Sequence, residues 1–323
     1  TSSPCNPLPP PTENEPVQIE LTQRGYIRWL RQSGRSRRKE PGEKLDQLQE
    51  NTQDLTVYTG TARLSESLLA FTGSGKAYTM SLADMPGSSG RDRGTPLVTL
   101  LSESAQSETI VAQFLPADYA AADRFVLLTQ QGRLKWLSTA EFVELSARGL
   151  STLKLKDNDQ LQFVIPATLG MEVAIATSAG RFIRFPLVEV PEMGRPALGN
   201  QVVRLLRQET LVGLAAVMPD AEVVLVSRSG YSKRLSVQIA RLGHPGGLGT
   251  PLMQFAQKSD ALVAMVSLSI DTEVLISTNQ NRVAYLPPQD LPLATKEGAG
   301  SLWVKLKTGE QIINVISVRN QTP

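Results

Sequence analysis

Short apolar runs recur along the chain, and each is closed by a hydroxyl residue and, three positions later, a residue that tolerates a positive φ angle. The runs are Leu68 to Phe71, Phe125 to Leu128, Val173 to Ala176, Val223 to Val226 and Val274 to Ile276. The closing quartets are Thr22-Gln23-Arg24-Gly25, Thr72-Gly73-Ser74-Gly75, Thr129-Gln130-Gln131-Gly132, Thr177-Ser178-Ala179-Gly180, Ser227-Arg228-Ser229-Gly230 and Thr278-Asn279-Gln280-Asn281. A short apolar run bounded by a turn signal reads as a strand. The hydroxyl can bond backbone N–H groups at the turn entry, and glycine enters the left-handed region without a Cβ clash. Asn281 fills the glycine slot in the sixth copy, where asparagine is the usual substitute. Each copy is therefore expected to be a β-hairpin.

The turn residues are spaced by 50, 57, 48, 50 and 51 positions. A period of this size predicts radial or solenoid repeats, here one closed all-β array of six units. Counting from the turn residue, position +5 is Leu30, Met80, Leu137, Phe185, Leu235 and Leu286, apolar in all six and so assigned to the core. Position +1 is Tyr26, Lys76, Arg133, Arg181, Tyr231 and Arg282, and position +3 is Arg28, Tyr78, Lys135, Ile183, Lys233 and Ala284. These two positions share a strand face, which is basic and aromatic. Position +19 is Gly94, Gly199, Gly249 and Gly300 in four copies, with Gly42 and Gly149 close by in the others, and predicts a second turn.

Charge changes this picture. The chain of 323 residues carries a net charge of only +2. Yet the ten residues starting at each repeated Thr or Ser hold Arg24, Arg28, Arg31, Lys76, Arg133, Lys135, Arg181, Arg184, Arg228, Lys233, Arg234 and Arg282, and no Asp or Glu. A closed ring would gather these into a circumferential positive band, which attracts polyanions and releases counterions from a phosphate backbone. Arg91, Arg93, Arg148 and Arg195 lie just before the second turn and extend the band. A further cluster, Arg35-Ser36-Arg37-Arg38-Lys39, reads either as a nucleic-acid contact or as a solvated loop.

Other chemistry is sparse. Cys5 is the only cysteine and His244 the only histidine, so no cofactor or His/Cys metal site is expected, and no internal disulfide. His244 reads as a turn residue. Gly73-Ser74-Gly75-Lys76 fails as a phosphate-binding loop, because Ala70 and Ala77 stand where a glycine and a Ser/Thr are needed. No run of 18 apolar residues is present, so no membrane partner is expected. Residues 1–16 are proline-rich and read as a linker, with the repeats filling 17–323.

The segment from Phe71 to Tyr78, followed by Leu82 to Pro86 and Arg91 to Val98, closely resembles the C-terminal domain of the gyrase A protein of DNA gyrase and that of its topoisomerase IV counterpart. Phe125 to Leu137 and Val173 to Phe185 fit the same repeat, and the likeness spans about Val17 to Val318. It implies a six-bladed β-pinwheel, a propeller-like disc with hairpins exchanged between neighbours, and double-stranded DNA bent around a basic rim. It also implies an accessory domain with no activity of its own, since the cleaving tyrosine belongs to a preceding core domain. Its partners would be that topoisomerase catalytic core and a B subunit, the isolated domain would be a monomer, and the location would be cytoplasmic and nucleoid-associated. The stretch Arg38 to Lys44 departs from the seven-residue box of gyrase, keeping Lys39 and Gly42 and gaining Glu40 and Glu43. Gyrase-like wrapping and topoisomerase IV-like bending therefore both stay open. So does a rival from another class, a propeller that binds proteins.

Overall fold

The apolar runs are strands covered on both faces, which explains why they read as continuous runs and not as alternation. In the third unit Arg124–Thr129 and Arg133–Ser138 form the hairpin. Phe125 and Leu127 join a core with Leu69 and Phe71 of the second unit, while Val126 and Leu128 join one with Val173 and Ile175 of the fourth. The cores therefore lie between neighbouring blades. The computed structural model describes residues 14–31, 48–50, 54–85, 93–143, 145, 148–269 and 272–320.

Each unit supplies four strands. The third continues from its hairpin through Leu150–Ser151 to Leu161–Ala167. The longer strand pairs back onto the unit's own hairpin. The two-residue strand instead leaves for the second blade, pairing with Lys76 and Ala77. The same exchange sends Thr95–Pro96 to the first blade, Asn200–Gln201 to the third, Thr250–Pro251 to the fourth and Ser301–Leu302 to the fifth. Gln49–Glu50 pairs with Val283 and Arg282 of the sixth blade, which closes the ring. In every blade the order is inner strand, two hairpin strands, then the neighbour's exchange strand at the outside. The inner strands follow one another around the axis, and those of the third to sixth units line a cavity of about 280 Å³. The last strand, Ile312–Asn320, also pairs in parallel with Thr56–Arg63, so the sixth and first blades form one eight-stranded sheet. The expected six-bladed all-β pinwheel is thus present. Among the described residues the only helical elements are short 3-10 turns.

The predicted turn residues have positive φ in all six copies, Asn281 included at 55°. Five of them serve two blades. Their backbone carbonyls accept the N–H of the residue that follows the exchange strand: Leu97 N to Gly25 O at 2.8 Å, Thr152 N to Gly75 O at 2.9 Å, Val202 N to Gly132 O at 3.0 Å, Leu252 N to Gly180 O at 2.9 Å and Trp303 N to Gly230 O at 2.9 Å.

A Cβ on Gly132 would lie 2.4 Å from the carbonyl oxygen of Val203, whereas one on Gly25 meets nothing within 4 Å, although both residues have φ of +80°. Gly25→Ala should therefore cost only the left-handed conformation, about 1–2 kcal/mol. Gly132→Ala should add overpacking, for a total near ~3 kcal/mol. Denaturant unfolding of the two variants measures this, and equal losses would show that the exchanged segment does not press on the turn.

Candidate nucleic-acid interface

From each exchange strand the chain runs along the edge of the disc that carries the hairpin turns. Five of these loops begin on the carbonyl of one turn and end at an acidic residue on the next, and the first unit has an acid at the matching place. The acids are Asp54, Glu108, Asp159, Glu209, Asp260 and Glu310, spaced by 54, 51, 50, 51 and 50 positions. The three aspartates cap backbone: Asp54 accepts from Arg24 N, Asp159 from Gln131 N and Asp260 from Ser229 N, each at 3.0 Å. Glutamate is one methylene longer and reaches the base just after the turn. Arg181 Nε donates to Glu209 at 2.8 Å, Arg282 Nη1 to Glu310 at 2.6 Å, and Lys76 Nζ stands 3.9 Å from Glu108. Burial pushes these glutamate carboxyls up, but hydrogen bonds and the neighbouring cations outweigh it and hold all three below the usual value.

Four of the bridging loops are basic, whereas the second unit's, 97–107, carries Glu103 and no base. Across 152–158, 202–208, 252–259 and 303–309 they present Lys154, Lys156, Arg204, Arg207, Lys258, Lys305 and Lys307, all exposed, against one acid, Asp157. Lys154, Arg204 and Lys305 occupy the same place in successive units, with Gln254 between them. These bases lie outside the ten-residue windows that start at the hairpin turns. The signal that marks them in the chain is their recurrence with the period of the repeat, beyond its second turn.

The bases expected from the sequence are distributed unevenly. Arg24 and Arg148 are exposed. Lys76 is 45% exposed, and Arg195, at 52%, lies 3.4 Å from Glu141. Arg93 is exposed with its guanidinium 5.2 Å from the ring centre of Tyr26. Arg133 and Arg228 are half-buried, and Arg133 Nη1 donates to Gly199 O at 3.0 Å. Arg28 pairs with Glu20 at 2.6 Å, and Arg31 lies 3.9 Å from Glu15. Arg35, Arg37, Arg38, Lys39 and Arg91 lie outside the described residues, as does the stretch Arg38 to Lys44.

The expectation that +1 and +3 form one exposed basic face is corrected. Position +3 faces the neighbouring blade. Lys135 and Lys233 are each only 1% exposed. The ammonium of Lys135 donates to the carbonyls of Thr152, Gly194 and Arg195 at 2.7, 2.8 and 3.0 Å, and that of Lys233 to Leu252 and Lys296 at 3.0 and 2.9 Å. These carbonyls belong to exchanged segments, so the lysines pin neighbours together. Position +4 does the same through other chemistry. Arg184, buried and paired with Glu172, donates to Val237 O at 2.7 Å, and Arg234, paired with Glu222, donates to Gln289 O at 3.1 Å. In the third unit Trp136 Nε1 fills that role, donating to Val190 O at 2.9 Å. Arg181 and Arg282 are likewise spent on Glu209 and Glu310, with side chains only 14% exposed. His244 is exposed, in a turn, with Nδ1 2.7 Å from Glu189.

Two outcomes follow from these buried charges. The lowered pKa of Glu310 means it stabilises the fold above its unfolded value, about 4.3, and that this is lost as pH falls through the folded value. Glu310→Gln should cost about 3 kcal/mol at pH 7, by leaving Arg282 unpaired. The gap to wild type should narrow as pH falls below the unfolded value and through the lowered folded one, and a gap independent of pH would contradict the pairing. Lys135 behaves oppositely. Burial lowers its pKa to about 8, so the unfolded chain holds the proton more tightly. Wild type should gain stability relative to Lys135→Met between about pH 8 and 10.4, measured by denaturant midpoints; a loss over that range would reverse the sign.

Three comparisons place this architecture. The family model described as DNA gyrase C-terminal domain, beta-propeller, matches residues 123–168, 172–218, 221–269 and 272–319, together more than half of the chain. The A subunit of DNA topoisomerase 4 from Synechocystis sp. is 36% identical over 78% of this chain and 29% of its own length. The A subunit of DNA gyrase from Staphylococcus epidermidis is 24% identical over 95% of this chain and 35% of its own length. The chain thus spans about a third of the length of these curated relatives. Among solved structures, the C-terminal domain of DNA topoisomerase IV superimposes with a TM-score of 0.78 over 94% of this chain and 93% of that one, at 17% identity. The DNA gyrase A C-terminal domain gives 0.69 over 94% and 100%, at 18% identity. With six exchanged blades, matched repeats and a relative above one-third identity, the chain belongs to the family of DNA gyrase C-terminal β-propeller domains.

Proposed function

We propose that this domain binds double-stranded DNA along the turn edge of its disc and bends it, as the accessory part of the DNA-cleaving (A) chain of a type IIA topoisomerase. The observation that carries this reading is the loop chemistry of the third to sixth units: seven exposed bases against one acid, recurring along a single edge. Exposed cations at a regular spacing suit a phosphate backbone, and contacts of this kind position a duplex without reading its sequence. Bending a 20–30 bp site by 40–90° costs about 1–6 kcal/mol, which many distributed phosphate contacts offset. The bent segment would be handed to the catalytic core of the full-length enzyme, which also contains the B subunit, in the cytoplasm at the nucleoid. The protein-scaffold reading draws no support from a repeated feature of the edge.

The test is the salt dependence of duplex binding. Each of Lys154→Ala, Arg204→Ala and Lys305→Ala should weaken binding mildly and lower the slope of log K against log salt by about one unit. A slope unchanged in the triple variant, or no wild-type binding at low salt, would sink the reading. Nicking and resealing relaxed plasmid with the domain bound then separates the modes. A positive, salt-sensitive change in linking number marks a right-handed wrap, and binding without a change marks bending alone.

A further inference from the structure

The turn edge is not chemically uniform. At two neighbouring places on the fourth blade, leucine stands where other units carry a cation. Leu206 holds the loop position of Lys156 and Lys307, with Ala256 in the remaining unit, and Leu248 precedes the second-turn glycine as Arg93 and Arg148 do, where Leu198 and Ala299 stand in two others. Leu206 is 63% exposed and Leu248 79%.

One ion pair fixes both. Glu209 accepts from Leu206 N at 2.8 Å and from Arg181. Arg181 in turn donates through Nη1 to Leu248 O at 2.7 Å and through Nη2 to Arg204 O at 3.0 Å. Glu209 and Arg181 are themselves 2% and 14% exposed, so the knuckle hangs on a buried node. The tip is tightened by Gly246 and Gly249, with φ of 85° and 77°. Arg204 and Arg207, both exposed, bracket Leu206 in the loop. Single exposed leucines are ordinary on any surface. Two of them on one anchored knuckle, among arginines, at places where two other units each present a cation, are a different case.

We propose that Leu206 and Leu248 form an apolar wedge that enters the minor groove of the bound duplex and unstacks one base step, kinking it at the fourth blade. The proposal rests on the DNA reading above and adds to it a fixed point. Leucine is among the side chains that proteins insert between base steps, with kinks of about 20–90°. The flanking guanidinium groups of Arg204 and Arg207 would hold the phosphates on either side while the step opens. Pyrimidine–purine steps unstack most easily, so a TA or CA step should settle over this blade. An otherwise sequence-blind contact would thereby acquire a preferred register.

The experiment compares wild type with the double variant Leu206→Lys, Leu248→Arg, which installs residues that equivalent positions already carry and leaves the blade cores untouched. A duplex with a central TA step is probed by permanganate oxidation of unstacked thymines and by energy transfer between its ends. Wild type should make the thymines at one step hyper-reactive and bring the ends closer. The double variant should bind at least as tightly, with a salt slope steeper by about two units, and lose the hyper-reactivity and the kink. Undiminished reactivity in the variant overturns the wedge. Wild-type binding without any hyper-reactive thymine also overturns it, while leaving the DNA reading intact. Failure of wild type to bind at low salt removes both.

Discussion

In five of the six units one residue, the glycine that closes the hairpin turn, serves two blades at once. The turn's own N–H closes its hairpin, as Gly75 N does on Thr72 O at 2.9 Å, and its carbonyl receives the neighbour's chain, as from Thr152 N at 2.9 Å. An exchange strand contributes only two residues to the ladder, so its position depends on this bond and on the lysine or arginine that catches its flanking carbonyls. Each such bond contributes on the order of 1 kcal/mol; the bulk of the cohesion comes from the apolar layers between blades. Because five junctions repeat this arrangement and the sixth is closed by its own strand pairings, the disc is a closed chain of nearest-neighbour contacts.

The same arrangement governs how the charges are used. The acids that clamp the turns are largely buried, Asp159, Glu209, Asp260 and Glu310 all below one-tenth exposure. They neutralise bases that also sit inward, notably Arg181 and Arg282. The bridging loops of the third to sixth units carry seven bases against one acid. A chain with a net charge of only +2 can therefore present a positive edge, since overall charge says little about where the unpaired charges lie.

The hairpins were legible because a strand covered on both faces leaves a continuous apolar run, and because Gly or Asn must follow it at a fixed distance. The second turns were legible for the same reason. The exchange itself left no pattern, since two residues such as Leu150–Ser151 are too few to show a period. The interface was half legible. A lysine in a strand, such as Lys135 or Lys233, reads as solvent-facing, because nothing local indicates that a neighbour's carbonyls will surround its ammonium. The six clamping acids were visible as a period-50 series but gain meaning only once the loop is seen to end on the next turn.

The junction between the sixth and first blades is built differently from the others. Among the described residues its buried core is three residues, Leu275, Val283 and Val318, and a continuous sheet takes over part of the work. The contact between Gln23 and Ser277 there spans 254 positions. During synthesis this seam is the last to form, because its final strand runs to Asn320. Until then five blades can stand only as an open arc, with an unpaired sheet edge at each end. The disc therefore becomes a ring only when this last strand arrives, and the first blade waits for its partner through the synthesis of the other five.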